Sequence, residues 1–485
     1  TPDYQALGAQ SAYGLTFLSN IYYWRSAGYF DAAAQEKWLL HTWSLAVEAQ
    51  FYVLYPIFVA LMWRFWAGLK ALTLGLLVLF VASLALNLVA TFWQPTAAFY
   101  LLPTRGWELA AGGLVYLIAR QDWVSAAIKA RGFWLGWILV IGSFAFIEES
   151  FAWPGYWAIL PVLGASLIIL GQRETCFLTD NAVAQWLGDR SYSLYLWHWP
   201  LVVALYFAGL QSDWAWVLGF LTLSLLLAHL SYRFVEVPTR SYLSAASLRK
   251  EILAIAAAGA VIGMAAVSVK LFVFDGRVDS KIEIAANEAI NRSAVIKKCT
   301  HPMRDMGFDN GCNFGEEYPK ALVIGDSHAD ALIGALIHAG KSHGDSVFYR
   351  AMYGCPSIRD AKLYTSDESE REQDRACKKF NSDGIALLEE KPKNIPIVLI
   401  NRFSSTLLGA LPSEKTLSSE AKEFITKNIQ HNKTQLTQTL CELSRQRNTF
   451  TIRPIPEMGI DVPKTLSRNI MFGRGNEDIK ITLEA

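Results

Sequence analysis

The stretch 321–340, ALVIGDSHADALIGALIHAG, runs from an apolar segment through Gly-Asp-Ser-His into a helix-period pattern. A serine on a tight turn between a buried strand and a helix N-terminus exposes its hydroxyl, and the turn aims backbone N–H groups where an oxyanion could sit. Ser327 therefore has a nucleophile's setting, although a serine that merely caps the following helix would show the same local sequence. A second set of groups lies in apolar surroundings, where ionisable side chains are costly and mark sites. In HTWSLAVEAQFY, His41 and Glu48 stand seven apart and share a helix face. In PTRGWELAAGG, Arg105 and Glu108 stand at i, i+3 and can pair. In DRSYSLYLWHWP, Ser191, Tyr195 and His198 form one polar stripe, and a second stripe, His229, Arg233 and Glu236, precedes Pro238, which is expected to end its helix. The blander reading of these groups is interface anchoring and hydrogen bonding between helices, and Trp197 and Trp199 read as aromatic belt or packing.

The elements that must position these groups divide by solvent. The 485 residues are 52% hydrophobic with 17 tryptophans, beyond an ordinary soluble chain, and the net charge of +1 hides an almost uncharged stretch at 71–119 and a charge-dense one at 275–485. No basic stripe suggests nucleic acid. Apolar runs near the length of a bilayer span fall at about 43–63, 71–91, 98–119, 133–147, 157–171, 192–210, 214–234 and 252–273. Arg64 and Lys70, then Arg120, Lys129 and Arg131, then Arg173 and Arg190, then Arg233, Arg240, Arg249 and Lys250 follow alternate spans, whereas the loops between hold no Lys or Arg. Those basic loops are expected to be cytoplasmic, which puts residues 275–485 and 1–42 outside. The chain is expected to start mid-protein, since Thr1 is not a methionine and no leader pattern follows.

Beyond a polar linker the periodicity is βα. Strands are predicted at 321–324, 346–350, 397–400 and 449–452 and helices at 330–339, 374–389 and 418–446, which gives an α/β domain with a parallel sheet. Cys299 and Cys312 are close in sequence, as are Cys355 and Cys377, and in an oxidising space such short loops read as disulfides. Four reduced core thiols remain the alternative. No Cys/His spacing suggests a metal site. Cys176 falls in a cytoplasmic loop, and Cys441 has no evident partner.

HTWSLAVEAQFYVLYP, RGWELAAG, GDRSYSLYLWHWPL and SYRFVEVPTR, in this order, resemble the integral membrane acyltransferase family 3, bacterial O-acyltransferases that decorate envelope glycans. The resemblance covers residues 1–245. It implies transfer of an acyl group, commonly acetyl from cytoplasmic acetyl-CoA, to a carbohydrate hydroxyl of O-antigen, another surface polysaccharide or peptidoglycan, with no tightly bound cofactor. Glu48, Arg105 and His198 would line the membrane path, supported by His41, Glu108, Ser191, Tyr195 and Glu236. Two departures stand out: the family's first span, with its Arg and His, has no counterpart, and Glu48 sits in VEAQ where VEEQ is commoner. Residues 246–298 then form one further span and a linker. From 299 to 485 the chain resembles SGNH hydrolases, and PIPEMGIDVPKTL, 454–466, is similar to a phrase of the extracytoplasmic SGNH domains fused to family 3 acyltransferases. That resemblance makes Ser327 the nucleophile, Gly354 in MYGCPS a backbone oxyanion donor and Asn401 in LINRFS a side-chain donor. The closing Asp-x-x-His, which would supply the base, is missing and is expected beyond Ala485; His328, adjacent to Ser327, is not a substitute. The expectation is a multi-pass protein of the bacterial inner membrane with its C-terminal domain in the periplasm. An anchored glycan esterase, and a transporter or glycan-binding protein without chemistry, are the other readings.

Overall fold

The computed structural model describes residues 2–27, 34–66, 68–121, 124–148, 151–173, 176–272, 278–288, 299–301, 311–315, 318–362, 372–403, 419–453 and 461–474. They form two compact units: Thr1–Glu288 together with Pro463–Asp478, and Ala289–Val462.

In the first unit each of the eight apolar runs forms a helix, because long unbroken apolar sequence leaves backbone hydrogen bonding within the helix as its best option in lipid. Among the described residues five helices are long and apolar enough to cross a membrane by themselves: Thr42–Phe65, Leu69–Trp93, Ala126–Phe146, Trp214–Ala245 and Leu248–Leu271. The other three runs give shorter helices, Leu102–Ile118, Ile159–Gly171 and Ser191–Phe207. Glycine sets the closest crossing. A Cβ on Gly136 would lie 2.6 Å from the Gly164 carbonyl oxygen, and one on Gly164 would lie 2.9 Å from that of Gly136, so the pair Ala126–Phe146 and Ile159–Gly171 meets backbone to backbone.

Two expectations change here. Pro238 does not end its helix: the chain passes through a π-helical turn at Tyr232–Glu236 and continues as Val237–Ala245 with Pro238 in its first turn, where no N–H is required of it. Helices Pro2–Leu15 and Ser19–Ser26, too polar to read as spans, precede the first apolar run. The helix Val462–Met471 also belongs to this unit, although its charged sequence reads as part of the 299–485 domain. Its charges are paired: Lys464 Nζ lies 3.0 Å from Glu36 Oε2 and Arg468 Nη1 lies 2.9 Å from Glu36 Oε1. Burial opposes ionisation of Glu36, but Lys464 and Arg468 outweigh it and hold the carboxyl below its ordinary range. The phrase at 454–466 lies partly outside the described residues.

The second unit is a sheet with helices against it. Its strands are β1 (Thr300–His301), β2 (Cys312–Phe314), β3 (Pro319–Gly325), β4 (Ser346–Met352), β5 (Ile397–Ile400) and β6 (Thr449–Ile452), in the spatial order β1-β4-β3-β5-β6. All pairings along that path are parallel, but β2 runs antiparallel to β4, so the sheet is mixed rather than wholly parallel. Three-residue β2 carries no periodicity that sequence can register, and its place is fixed by the Cys299–Cys312 disulfide. The central strands are buried on both faces, with Leu322, Tyr349 and Ile397 fully so. This explains their continuous apolar sequence. At Gly325 the backbones of β3 and β5 come so close that a Cβ would lie 1.9 Å from the Ile400 carbonyl oxygen.

Candidate functional site

Two groups of side chains are assembled, one in each unit. In the second unit, β4, β3 and β5 are adjacent and parallel, and their carboxyl ends are level: Gly325 is in register with Ala351 on one side and Ile400 on the other. Ser327, Gly354 and Asn401 follow the ends of β3, β4 and β5 by two, two and one residues, so the sheet brings all three to one edge. That edge is where open α/β sheets bind ligands. Ser327 opens the helix Ser327–Ser342 and is half-buried. Gly354 turns the chain after β4 with φ +70°, a conformation that excludes most side chains.

Asp326 holds this edge together, a role the sequence did not disclose. Its carboxylate accepts the His328 N–H at 2.8 Å, capping the serine's helix, and the Arg402 N–H at 2.7 Å, fixing the residue after Asn401. The cap therefore belongs to Asp326, which leaves the Ser327 hydroxyl uncommitted to capping. Burial lifts the Asp326 carboxyl above its ordinary range, against the two N–H bonds, which lower it. Asn401 is 1% exposed; its Oδ1 accepts from Ser357 N at 2.9 Å and Ser357 Oγ at 3.0 Å, while its Nδ2 is buried with no hydrogen-bond partner among the described residues. One wall is braced by the Cys355–Cys377 disulfide next to Gly354. Tyr353 Oη donates to Asp330 Oδ2 at 2.8 Å, which ties the same turn to the serine's helix.

In the first unit, His41, Tyr195 and His198 come together, with ring centroids 5.3 Å (His41–Tyr195) and 5.9 Å (His41–His198) apart. The Tyr195 hydroxyl donates to the His41 carbonyl and lies 2.6 Å from Ser44 Oγ. His198 Nδ1 lies 2.7 Å from the Tyr195 carbonyl, which can only accept; Nδ1 must carry the proton, and in the neutral ring Nε2 keeps its lone pair. His41 Nδ1 is buried with no hydrogen-bond partner among the described residues. Glu48 is half-buried in the helix Thr42–Phe65, which begins directly after His41. Arg105 and Glu108 pair at 2.7 Å, and the Arg105 guanidinium lies over the Trp43 ring at 5.3 Å.

Ser191, Tyr195 and His198 all lie on the helix Ser191–Phe207, where i, i+4, i+7 spacing puts them on one side; Ser191, in the first turn, is exposed, and Tyr195 and His198 are half-buried. On the opposite side Ser193, 1% exposed, donates to Glu236 Oε2 at 2.7 Å, and Glu236 pairs with Arg240. Arg190, which the sequence marks only as loop charge, donates to His229 Nδ1 at 2.9 Å between the rings of Trp186 and Tyr232.

A serine, a turn glycine and an unpartnered asparagine amide at adjacent strand ends of an α/β sheet, in a chain with multiple membrane-length helices, define a multi-pass membrane protein with an SGNH-type extension. Residues 4–233 match the acyltransferase domain family and residues 298–485 match the SGNH domain described as fused to AT3 domains, and the chain belongs to this fused membrane acyltransferase family. It is 33% identical over 242 residues to a Komagataeibacter xylinus protein whose name describes a membrane-bound transacylase, covering 48% of this chain and 60% of the relative. A Bacillus subtilis protein whose name describes a peptidoglycan O-acetyltransferase is 31% identical over 248 residues, 47% of this chain and 39% of its own. A peptidoglycan O-acetyltransferase of Listeria monocytogenes is 26% identical over 250 residues, 46% and 39% of the two chains. The chain thus spans less than two thirds of the length of these relatives. No solved structure matches it significantly.

Proposed function

We propose that the protein is an O-acyltransferase of cell-envelope glycans, taking an acyl group, acetyl in the first instance, from a cytoplasmic acyl-CoA and delivering it to a carbohydrate hydroxyl outside the inner membrane. The observation that carries this reading is the convergence of Ser327, Gly354 and Asn401 at one sheet edge, with Asn401 Nδ2 buried and free to donate. A tetrahedral oxyanion formed at Ser327 would take up that donor together with the Gly354 N–H. In the membrane unit, His198 with its Nε2 lone pair, beside His41 and Tyr195, is a suitable acid–base group for acyl movement, and Glu48 and Arg105 supply charge along the path. The relatives whose names describe O-acetyltransfer to peptidoglycan support an envelope glycan acceptor; the outward placement of the second unit rests on the alternation of basic loops. In cells expressing full-length Ser327→Ala, mass analysis of the envelope glycan should show acylation lost. Undiminished acylation removes Ser327 from the reaction. Loss of acylation on Ser327→Ala together with increased acylation on overexpression of the wild type separates transfer from an esterase, which would strip the glycan instead.

A further inference from the structure

Asn401 can aim its Nδ2 only if something prevents its amide from turning over, and the structure assigns that task to Ser357. An asparagine oxygen offers two lone pairs and its nitrogen two donors. Both lone pairs of Asn401 Oδ1 are filled by Ser357, from its backbone N–H at 2.9 Å and its hydroxyl at 3.0 Å. A flipped amide would put its own NH2 against the Ser357 N–H, which can only donate, and would give up the hydroxyl's hydrogen bond to Oδ1, so the observed orientation is favoured, and in it Nδ2 has no partner among the described residues. Ser357 in turn is immobilised. It is 7% exposed, and Asn381 Nδ2 donates to the carbonyls on either side of it, Pro356 O at 2.8 Å and Ile358 O at 2.7 Å. The Cys355–Cys377 disulfide anchors the same loop, which also carries Gly354.

We therefore propose that Ser357 is a positioning residue: it sets the asparagine donor for the oxyanion and, through one loop, holds that donor in step with the Gly354 N–H. The proposal rests on the reading of Ser327 as nucleophile. Its effect is felt in the transition state, where the oxyanion exists, and not in the ground-state complex.

The test is a double-mutant cycle on the full-length protein in detergent, following nitrophenolate release from p-nitrophenyl acetate. Asn401→Ala should lower kcat about 100-fold, as removal of one oxyanion donor does. Ser357→Ala should lower kcat roughly 10-fold with KM unchanged, because the backbone N–H still restrains the amide. Ser357→Thr, which keeps the hydroxyl, should recover most of the loss. In the Asn401→Ala background Ser357→Ala should cost nothing further. An equal loss in both backgrounds, or no loss from Ser357→Ala while Asn401→Ala is impaired, overturns the positioning role and leaves the reading of Ser327 standing. Unchanged turnover in Ser327→Ala overturns that reading and the proposal with it.

Discussion

Ser327 could be picked out from its strand–turn–helix sequence, whereas Gly354 and Asn401 were reached only through the resemblance to SGNH hydrolases; the sheet register places all three at one edge. Ser357 and Asp326 were not legible, since what they do depends on partners 44 and 76 residues away. Ser191, Tyr195 and His198 share a side of their helix as their spacing requires, while the bond of Ser193 on the opposite side to Glu236, 43 residues away, is invisible to periodicity. Asp326 carries a prediction at this scale. Asp326→Ala removes the helix cap and the carboxylate that accepts the Arg402 N–H, a loss of about 2 kcal/mol, read as a lowered midpoint for thermal unfolding of the SGNH unit. Its acidity adds a pH signature. Burial raises the folded carboxyl above its ordinary range, against bonds from Arg402 and His328 that lower it, so the folded unit keeps a proton that the unfolded chain releases. That stabilisation is complete below the ordinary carboxyl range and is lost as pH rises through the raised value. The wild-type midpoint should fall across that window, and the fall should be missing from Asp326→Asn.

At the scale of elements, hydrophobic content located a helix at each of the eight apolar runs, five of them long enough to cross a membrane, and the four longer strands of the sheet, because both depend on runs of apolar residues. It failed where an element depends on something else. The short antiparallel β2 is placed by its disulfide and by the edge of β4. The helix after Pro238 continues because a π-helical turn brings the proline to a first-turn position. Gly325 is the element-scale residue on which the site depends. A Cβ there would fall 1.9 Å from the Ile400 carbonyl oxygen and 2.6 Å from Ala329 Cβ, so strand and helix would both have to withdraw. Gly325→Ala should therefore separate β3 from β5, cost about 3 kcal/mol or more, and carry Ser327 away from Asn401. Loss of acyl transfer should exceed what the residual folded fraction explains; a variant with wild-type unfolding midpoint and turnover would show that β3 and β5 approach less closely than described.

For the whole molecule the two cysteine populations and the loop charges make one consistent argument. Two disulfides, Cys299–Cys312 and Cys355–Cys377, both fall in the second unit, and structural disulfides persist in oxidising compartments. The loops that follow alternate apolar runs hold the Lys and Arg, and the proposed outward placement of the residues beyond the last run rests on that alternation. The two free cysteines make this testable, because Cys441 is exposed on the second unit whereas Cys176 is buried in one of the basic loops. A membrane-impermeant maleimide, added to cells whose outer membrane alone has been made permeable, should label Cys441, and Cys441→Ser should abolish the signal. Cys176 should stay unlabelled there on two counts, side and burial, so a cysteine in place of exposed Arg120, in another basic loop, serves as the accessible inner reference and should react only after the inner membrane is opened. Labelling in the reverse order would turn the molecule over, set Ser327 on the side of the acyl donor, and leave an outward glycan acceptor without a route to it.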